Sequence, residues 1–317
     1  MSIRNRFAVS IAVLLACVAV ADRAGATAIS AQTALQDFNA IIYTNAVTQS
    51  DVEGATVVGG NFQGATLNNN PTYSGLPSGF GALTVYGSTS GNAINLNNGG
   101  NAYVGGTSGA TVNFNGNGHF TYTAPPSSIT DFETSLNALS TSLSQLSSTS
   151  TLPATGNNEV LTAIPGANGV AVFNITAAQL AAIPSFTINT NGASSVIFNV
   201  SGTSATFSAN DESGVTGANS IIWNFYQATS VSLQTQIGGT ILATGASVTN
   251  SNQIDGVLVA NSFTGNGEIH DYQFTGTLPG GTQTGGNQQT PEPASLLTFA
   301  VGLLALGFLR RQVTKRA

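Results

Sequence analysis

Short apolar or β-branched runs recur along residues 27–279, each bounded by Gly or Asn. Examples are Thr56-Val57-Val58, Leu83-Thr84-Val85-Tyr86, Ala93-Ile94-Asn95-Leu96, Thr111-Val112-Asn113-Phe114, Ser195-Val196-Ile197-Phe198-Asn199-Val200 and Ile221-Ile222-Trp223. This pattern predicts short strands separated by tight turns. A phrase Gly-Ala-Thr/Ser recurs at Gly54, Gly64, Gly109, Gly192 and Gly245, and an apolar-Gly-Gly phrase at Val58, Val104 and Ile237. Their spacing is irregular, so no strict repeat is present. Such near-repetition fits an imperfect β-solenoid, in which each rung buries its inward residues on its neighbours. Gly supplies positive φ at the rung corners, and Ala and Thr fill narrow interior positions. The expected fold is mainly β, a right-handed β-solenoid (β-helix) with one long α-helix packed alongside; a β-sandwich is the alternative.

Three segments switch to helical spacing. Thr130-Asp131-Phe132-Glu133 has the form of a capping box. It opens a run in which Phe132, Leu136, Leu139, Leu143 and Leu146 lie alternately four and three residues apart, with Ile129 extending the stripe ahead of the cap. That predicts a helix with one narrow apolar face. Its opposite face is Ser and Thr, whose helix propensity is modest, so it needs support from a β surface. Dimerisation through the stripe is the alternative use. Residues 33–43 carry Leu35, Phe38, Ile41 and Ile42 on one side and also predict a helix. A shorter one is expected over 176–183, capped by Thr176 and Gln179.

Charge changes the picture more than length does. Of 317 residues only 6% are charged, far below the usual quarter. The basic residues are Arg4, Arg6, Arg23, Arg310, Arg311, Lys315 and Arg316, so the whole span between Arg23 and Arg310 lacks a cation. Nucleic-acid binding needs Lys and Arg to displace counterions from phosphates, and Mg-nucleotide chemistry needs a lysine or arginine clamp. Both are excluded for the central span.

The basic residues belong to the two ends. Arg4 and Arg6 precede an apolar run from Phe7 to Val20, and Ala24-Gly25-Ala26 has the small-x-small form of a cleavage site. Residues 1–26 therefore read as a secretory signal for signal peptidase, with cleavage set by Ala24 and Ala26. The single cysteine, Cys17, lies inside it, so the remaining chain has no disulfide or thiolate chemistry. At the other end, Pro279 to Gln289 is rich in Gly and small polar residues; residues 280–290 read as a flexible linker. Pro291-Glu292-Pro293-Ala294-Ser295 then leads into an apolar run from Leu296 to Leu309 and the basic cluster Arg310, Arg311, Lys315 and Arg316. The run is expected to enter a membrane with its basic end cytoplasmic. Over 291–317 this tripartite tail resembles the PEP-CTERM sorting signal of Gram-negative bacteria. The resemblance implies recognition by an exosortase, cleavage near Pro291-Glu292-Pro293, an exopolysaccharide-producing host, and delivery to the cell surface or biofilm matrix.

Phrases across 27–279 carry a second likeness. They are Ala34-Leu35-Gln36-Asp37-Phe38-Asn39, Ser50-Asp51-Val52-Glu53-Gly54, Val57-Val58-Gly59-Gly60-Asn61-Phe62, Phe198-Asn199-Val200-Ser201-Gly202, Ile222-Trp223-Asn224-Phe225, Gly239-Thr240-Ile241-Leu242-Ala243, Ile254-Asp255-Gly256-Val257-Leu258-Val259-Ala260-Asn261 and, last, Glu268-Ile269-His270 with Phe274-Thr275-Gly276. Together they resemble the choice-of-anchor A family, a bacterial adhesin domain whose members carry varied C-terminal anchors. The chain departs from it at Ala243-Thr244-Gly245-Ala246, where members often have Ala-Pro-Asn-Ala. The stretch from Trp223 to Asn261 is also similar to bacterial ice-binding β-solenoids, which pair a β-helix with one long helix.

Candidate chemistry is sparse. No Gly-x-Ser-x-Gly elbow stands before a helix. His119 alternates with aromatics in Gly118-His119-Phe120-Thr121-Tyr122 and is expected to face solvent. Glu268-Ile269-His270-Asp271 is a candidate metal or base cluster, with Glu268 and His270 on one strand face and Asp271 on the other. Asp51 with Glu53 and Asp211 with Glu212 are candidate carboxylate pairs for glycoside hydrolysis, though sequence neighbours do not make a flanking pair. Calcium suits clustered oxygens outside the cell, but no calcium repeat or EF-hand loop is present. Trp223, the only tryptophan, is expected at a core edge, with sugar stacking as the alternative. The resulting expectation is an exported, non-catalytic surface or matrix adhesin contacting exopolysaccharide or another surface, without catalytic or cofactor residues. Ice binding and polysaccharide-active catalysis are the alternatives; no Thr-x-Thr ladder in register is legible.

Overall fold

Parallel pairing of very short strands cannot be closed by hairpins, so each strand must meet its partner one full turn of chain later. The computed structural model describes residues 28–64, 66–67, 75–153 and 156–279, all within one compact unit that ends at Pro279. Ala24, Ala26, Pro291, Glu292, Pro293, Arg310 and Arg311 lie outside the described residues, as does the apolar run from Leu296. Among the described residues no helix is long and apolar enough to cross a membrane.

The strands stack in parallel as a three-faced β-solenoid, right-handed as parallel crossovers are. The first face stacks Phe120–Thr121, Ala102–Val104, Leu83–Val85, Thr56–Val58, Ala40–Ile42, the first part of Leu258–Gly265, the first part of Thr240–Asn250, Ile221–Asn224, Ser195–Ser201 and Val170–Thr176, in that spatial order; the two long strands bend at the register shift between Ala243 and Ser247 and continue onto the second face. Chain order differs. The first rung, Ala40–Ile42, lies mid-stack, paired with Thr56–Val58 on one side and with the last rung, Leu258–Gly265, on the other. The chain builds outward to Phe120–Thr121, crosses to the opposite end, and builds back until its last rung closes on its first. No β-sandwich forms, because consecutive strands follow the coil.

The crossing segment contains the predicted long helix. Helix α1 spans Ala31–Asp37, α2 spans Ile129–Ser144 and α3 spans Ala177–Ala181. The cap of α2 is one turn-start earlier than expected. Ser128 is the N-cap and Asp131 the reciprocating residue, so Ile129 lies inside the helix and Thr130 and Glu133 do not form the box. The predicted helix over 33–43 ends at Asp37, since Ile41 and Ile42 enter a strand buried on both sides. The short helix over 176–183 forms with the expected Thr176 and Gln179 cap. It stands where the top rung would otherwise carry a second-face strand, and Leu180 closes that end of the core.

Two apolar layers result. Inside the coil, Phe173, Phe198 and Trp223 stack from rung to rung, with centroids 4.7 and 4.1 Å apart. Outside it, Val172, Ile197, Ile222, Leu242 and Val259 pack against Phe132, Leu136, Leu139 and Leu143 of α2 and Phe38, the residue that follows α1. From Val170–Thr176 to Thr56–Val58 the first face is thus covered on both sides, which is why strands there read as continuous apolar runs, whereas Ala102–Val104 and Phe120–Thr121 at the far end are part exposed. The stripe of α2 is spent on its own domain.

A polar ladder fixes the helix along that face. Asn174, Asn199 and Asn224 recur at 25-residue steps and join side chain to side chain at 2.9 Å. Their Nδ2 groups also donate to the carbonyls of Leu146, Leu143 and Ser140, at 2.9, 2.7 and 2.9 Å. Three helical residues rise about 4.5 Å and one rung rises about 4.8 Å, so the two periods nearly coincide over these three contacts.

Candidate surface-binding face

Among the described residues no helix lies over the second face of the solenoid. Its inward residues, among them Ala205, Val231, Val248, Phe263, Ala46 and Phe62, are buried. Alternation then turns the residues on either side outward. Four consecutive rungs carry the same chemistry there: Ser204-Ala205-Thr206, Ser230-Val231-Ser232, Ser247-Val248-Thr249 and Ser262-Phe263-Thr264. Strand register aligns them into two ranks. One rank is Ser204, Ser230, Ser247 and Ser262; the other is Thr206, Ser232, Thr249 and Thr264. All eight side chains are exposed or half-buried. Neighbours within a rank lie about 4.8 Å apart and the two ranks about 6.7 Å apart, from ideal strand dimensions. Ser262 Oγ donates to Ser247 Oγ at 2.9 Å, so the hydroxyls support one another.

The face continues past the seam between last and first rungs with altered chemistry. Thr264 aligns with Val47, Val47 with Gln63, and Gln63 with Ser90. Beside them run Asn45, Asn61 and Ser88. Asn45 Oδ1 accepts the Asn61 N–H at 2.8 Å, Asn61 Oδ1 accepts the Ser88 N–H at 2.9 Å, and Ser88 Oγ accepts the Thr107 N–H at 2.9 Å. These side chains repeat the role of one rung's backbone for the next.

The expected chemical candidates lie elsewhere, chiefly on the third face. Glu268 and His270 do share a strand face: Glu268 Oε2 lies 2.9 Å from His270 Nε2. Asp271 does not join them; its backbone N–H donates to Glu53 Oε2 at 2.9 Å. The second partner of His270 is Asp255, one rung away, with Oδ1 at 2.6 Å from Nδ1. Asp255 is buried and also accepts from Gln236 Nε2 at 2.5 Å. Sequence reasoning missed it because the two residues meet only through the rung register.

Burial by itself would lower the His270 pKa. Hydrogen bonds to Glu268 and Asp255, with the charges of Glu53 and Asp255, outweigh that and hold it above its ordinary 6.5. Burial raises the pKa of Asp211 against hydrogen bonds from Ser213 and the Gly238 backbone that lower it. Asp211 Oδ1 accepts the Ser213 N–H at 2.9 Å and Oδ2 the Gly238 N–H at 3.1 Å, while Glu212 is exposed beside it. Asp51 is tied through its carbonyl, which accepts the Ile269 N–H. Among the described residues no group of three or more His, Asp or Glu side chains gathers to hold a metal ion. His119 is exposed, as expected. Trp223 is not at a core edge. It is fully buried and donates from Nε1 to the Gly238 carbonyl at 2.9 Å, which removes sugar stacking.

Comparisons with known proteins follow the same division. A family model described as "Putative Ice-binding-like adhesive domain" matches residues 31–271. A PEP-CTERM protein-sorting motif matches residues 289–311, which implies an exosortase as sorting partner. No curated protein matches the chain. Among solved structures, the chain is similar to an ice-binding protein from the Antarctic ascomycete Antarctomyces psychrotrophicus, at 13% identity and TM-score 0.39, covering 74% of this chain and 95% of that one. A second is an ice-binding protein from an Antarctic biological consortium, at 15% identity and TM-score 0.31, covering 77% and 90%.

Proposed function

The chain belongs to the ice-binding-like adhesive domain family, and on that premise we propose that it is an exported, non-catalytic surface protein of the choice-of-anchor A type. In this reading signal peptidase removes residues 1–26, and an exosortase cuts near Pro291-Glu292-Pro293 at the end of the 280–290 linker. The 27–279 domain is thereby delivered to the cell surface or biofilm matrix of a Gram-negative bacterium. Its second face adheres to exopolysaccharide or another extended surface. The observation that carries this is the pair of outward ranks, eight hydroxyl side chains in register on one uncovered sheet face. Such an array meets an extended partner through many weak contacts whose sum is large. Because the span between Arg23 and Arg310 has no Lys or Arg, hydroxyl and amide hydrogen bonds must carry the contact.

The test is retention of the protein on its host's exopolysaccharide. Thr249→Val with Thr264→Val removes two adjacent hydroxyls while keeping β-branched side chains. Reduced retention with unchanged thermal stability supports the reading. Equal retention, with normal biofilm in a deletion strain, overturns it.

Ice binding is the second reading, favoured by the Thr206, Ser232, Thr249, Thr264 rank at rung spacing. Ser hydroxyls rotate more freely than β-branched Thr, and the rank meets Val47 at the seam, so the array is less rigid than a rank of Thr alone. Absence of thermal hysteresis and of recrystallisation inhibition removes it.

A further inference from the structure

The second face is not chemically uniform, and its break has a shape. Where the last rung meets the first, the Thr/Ser rank passes to Val47 and the surface sinks into a depression of about 190 Å³. Val47, in the same outward rank as Gln63 and Ser90, supplies an apolar side, and the strand backbone at the inward-facing Ala46 and Phe62 forms the floor. Asn45 and Asn61 stand on one side, Gln63 and Ser90 on the other. The Oδ1 atoms of Asn45 and Asn61 are committed to backbone N–H groups of the next rung, which leaves each Nδ2 as the donor for a partner. Gln63 lies over Gly91, where a Cβ would come within 2.8 Å of its Cγ, so the glycine makes room for the amide.

We infer that this depression is a subsite for one uncharged pyranose ring of a polysaccharide lying across the rungs. An apolar Val47 side set among fixed amide and hydroxyl groups matches a sugar ring, whose C–H face is apolar and whose edge hydroxyls both donate and accept. The volume is below the ~300–1,000 Å³ of a pocket that engulfs a drug-sized ligand, so it seats a single ring while its neighbours lie along the open face. Asp and Glu are absent from its lining, and no Lys or Arg is near in sequence to neutralise a uronate. The ligand class is therefore a neutral glycan. The inference rests on the reading of this face as adhesive, and it adds a place and a sugar class to it.

The experiment is saturation-transfer NMR and titration of the full chain with laminarihexaose, cellohexaose and maltohexaose, using oligoguluronate as the anionic probe. At least one neutral hexamer is expected to bind, with strongest saturation on one ring's C–H protons, and oligoguluronate is not. Val47→Tyr fills the depression and should abolish binding. Asn61→Asp and Gln63→Glu keep the side-chain acceptor but remove the outward donor, and each should weaken binding about tenfold, the equivalent of one hydrogen bond at the upper end of its usual worth. Denaturation midpoints equal to the parent's confirm that the variants are folded. Failure of every neutral hexamer at 10 mM, with retention on exopolysaccharide intact, overturns the subsite and leaves the adhesive face standing. Hexamer binding that survives Val47→Tyr also overturns it. Hexamer binding as expected, with retention unaffected by any of these changes, instead fells the adhesive reading.

Discussion

Replacing Asn199 by Ala tests whether α2 is held by the asparagine ladder or by its apolar stripe alone. Asn199 is buried and makes three side-chain hydrogen bonds: Nδ2 to Leu143 O at 2.7 Å, Nδ2 to Asn174 Oδ1 at 2.9 Å, and Oδ1 from Asn224 Nδ2 at 2.9 Å. At about 1 kcal/mol net for each, the loss sums to about 3 kcal/mol. Two partners keep other bonds, which holds the figure near that value: Leu143 O still accepts the Leu146 N–H at 3.1 Å, and Asn224 Nδ2 still reaches Ser140 O at 2.9 Å. A domain of this size loses roughly 2–4 °C of Tm per kcal/mol, so the melting point should fall by about 6–12 °C. Guanidinium unfolding followed by Trp223 fluorescence reads the loss directly, since the single tryptophan is buried against Phe198. A cycle with Asn224→Ala should show coupling of about 1 kcal/mol, as neighbours sharing a bond do. A cost below about 0.5 kcal/mol, the range of an ordinary surface change, would refute the ladder as a clamp.

Three further outcomes follow from other contacts. Stability should fall as pH rises. Asp211 and His270 both have raised folded pKa values, so the native state holds more protons than the unfolded one. The Asp211 contribution is full below its ordinary 3.8 and lost as pH climbs through its folded value; that of His270 is full below 6.5 and lost above it. Urea midpoints across pH 4–9 should lose the lower step in Asp211→Asn and the upper in His270→Gln, and a parent curve that rises from pH 6.5 to 8 relative to His270→Gln contradicts the assignment. Gly256→Ala should cost about 1–3 kcal/mol, because its Cβ would lie 2.1 Å from the Gly239 carbonyl oxygen of the adjoining rung; a neutral change in a melt would show the rungs to be looser than this. Thr176→Ala removes the acceptor of the Gln179 N–H at 3.1 Å and should cost about 1 kcal/mol, with faster hydrogen exchange confined to α3 and the rung beneath it.

Which features the sequence disclosed follows from the range over which each is encoded. Strands with both sides covered carry their signal locally, so Ser195–Ser201 and Ile221–Asn224 stand out as apolar runs. The stripe of α2 is local too, whereas its cap was misplaced by two residues because Ser128 and Thr130 offer competing hydroxyl caps. Between Phe173-Asn174, Phe198-Asn199 and Trp223-Asn224 a strict aromatic-Asn period does exist, and it marks both the core stack and the helix clamp. It was obscured because other rungs take different lengths, with Asn95 and Asn113 only 18 residues apart and Ser247 and Ser262 only 15. The hydroxyl ranks were hidden by the same inequality. Each Ser-x-Thr or Ser-x-Ser triplet is common in a chain this rich in Ser and Thr, and only rung register selects four of them and lays them side by side. The seam is further out of reach, since it joins Val47 to Thr264 from opposite ends of the domain. The features that hold the fold together are thus readable one rung at a time. The face that meets the outside exists only after the coil has closed last rung on first, so its chemistry is a property of the stacking rather than of any segment.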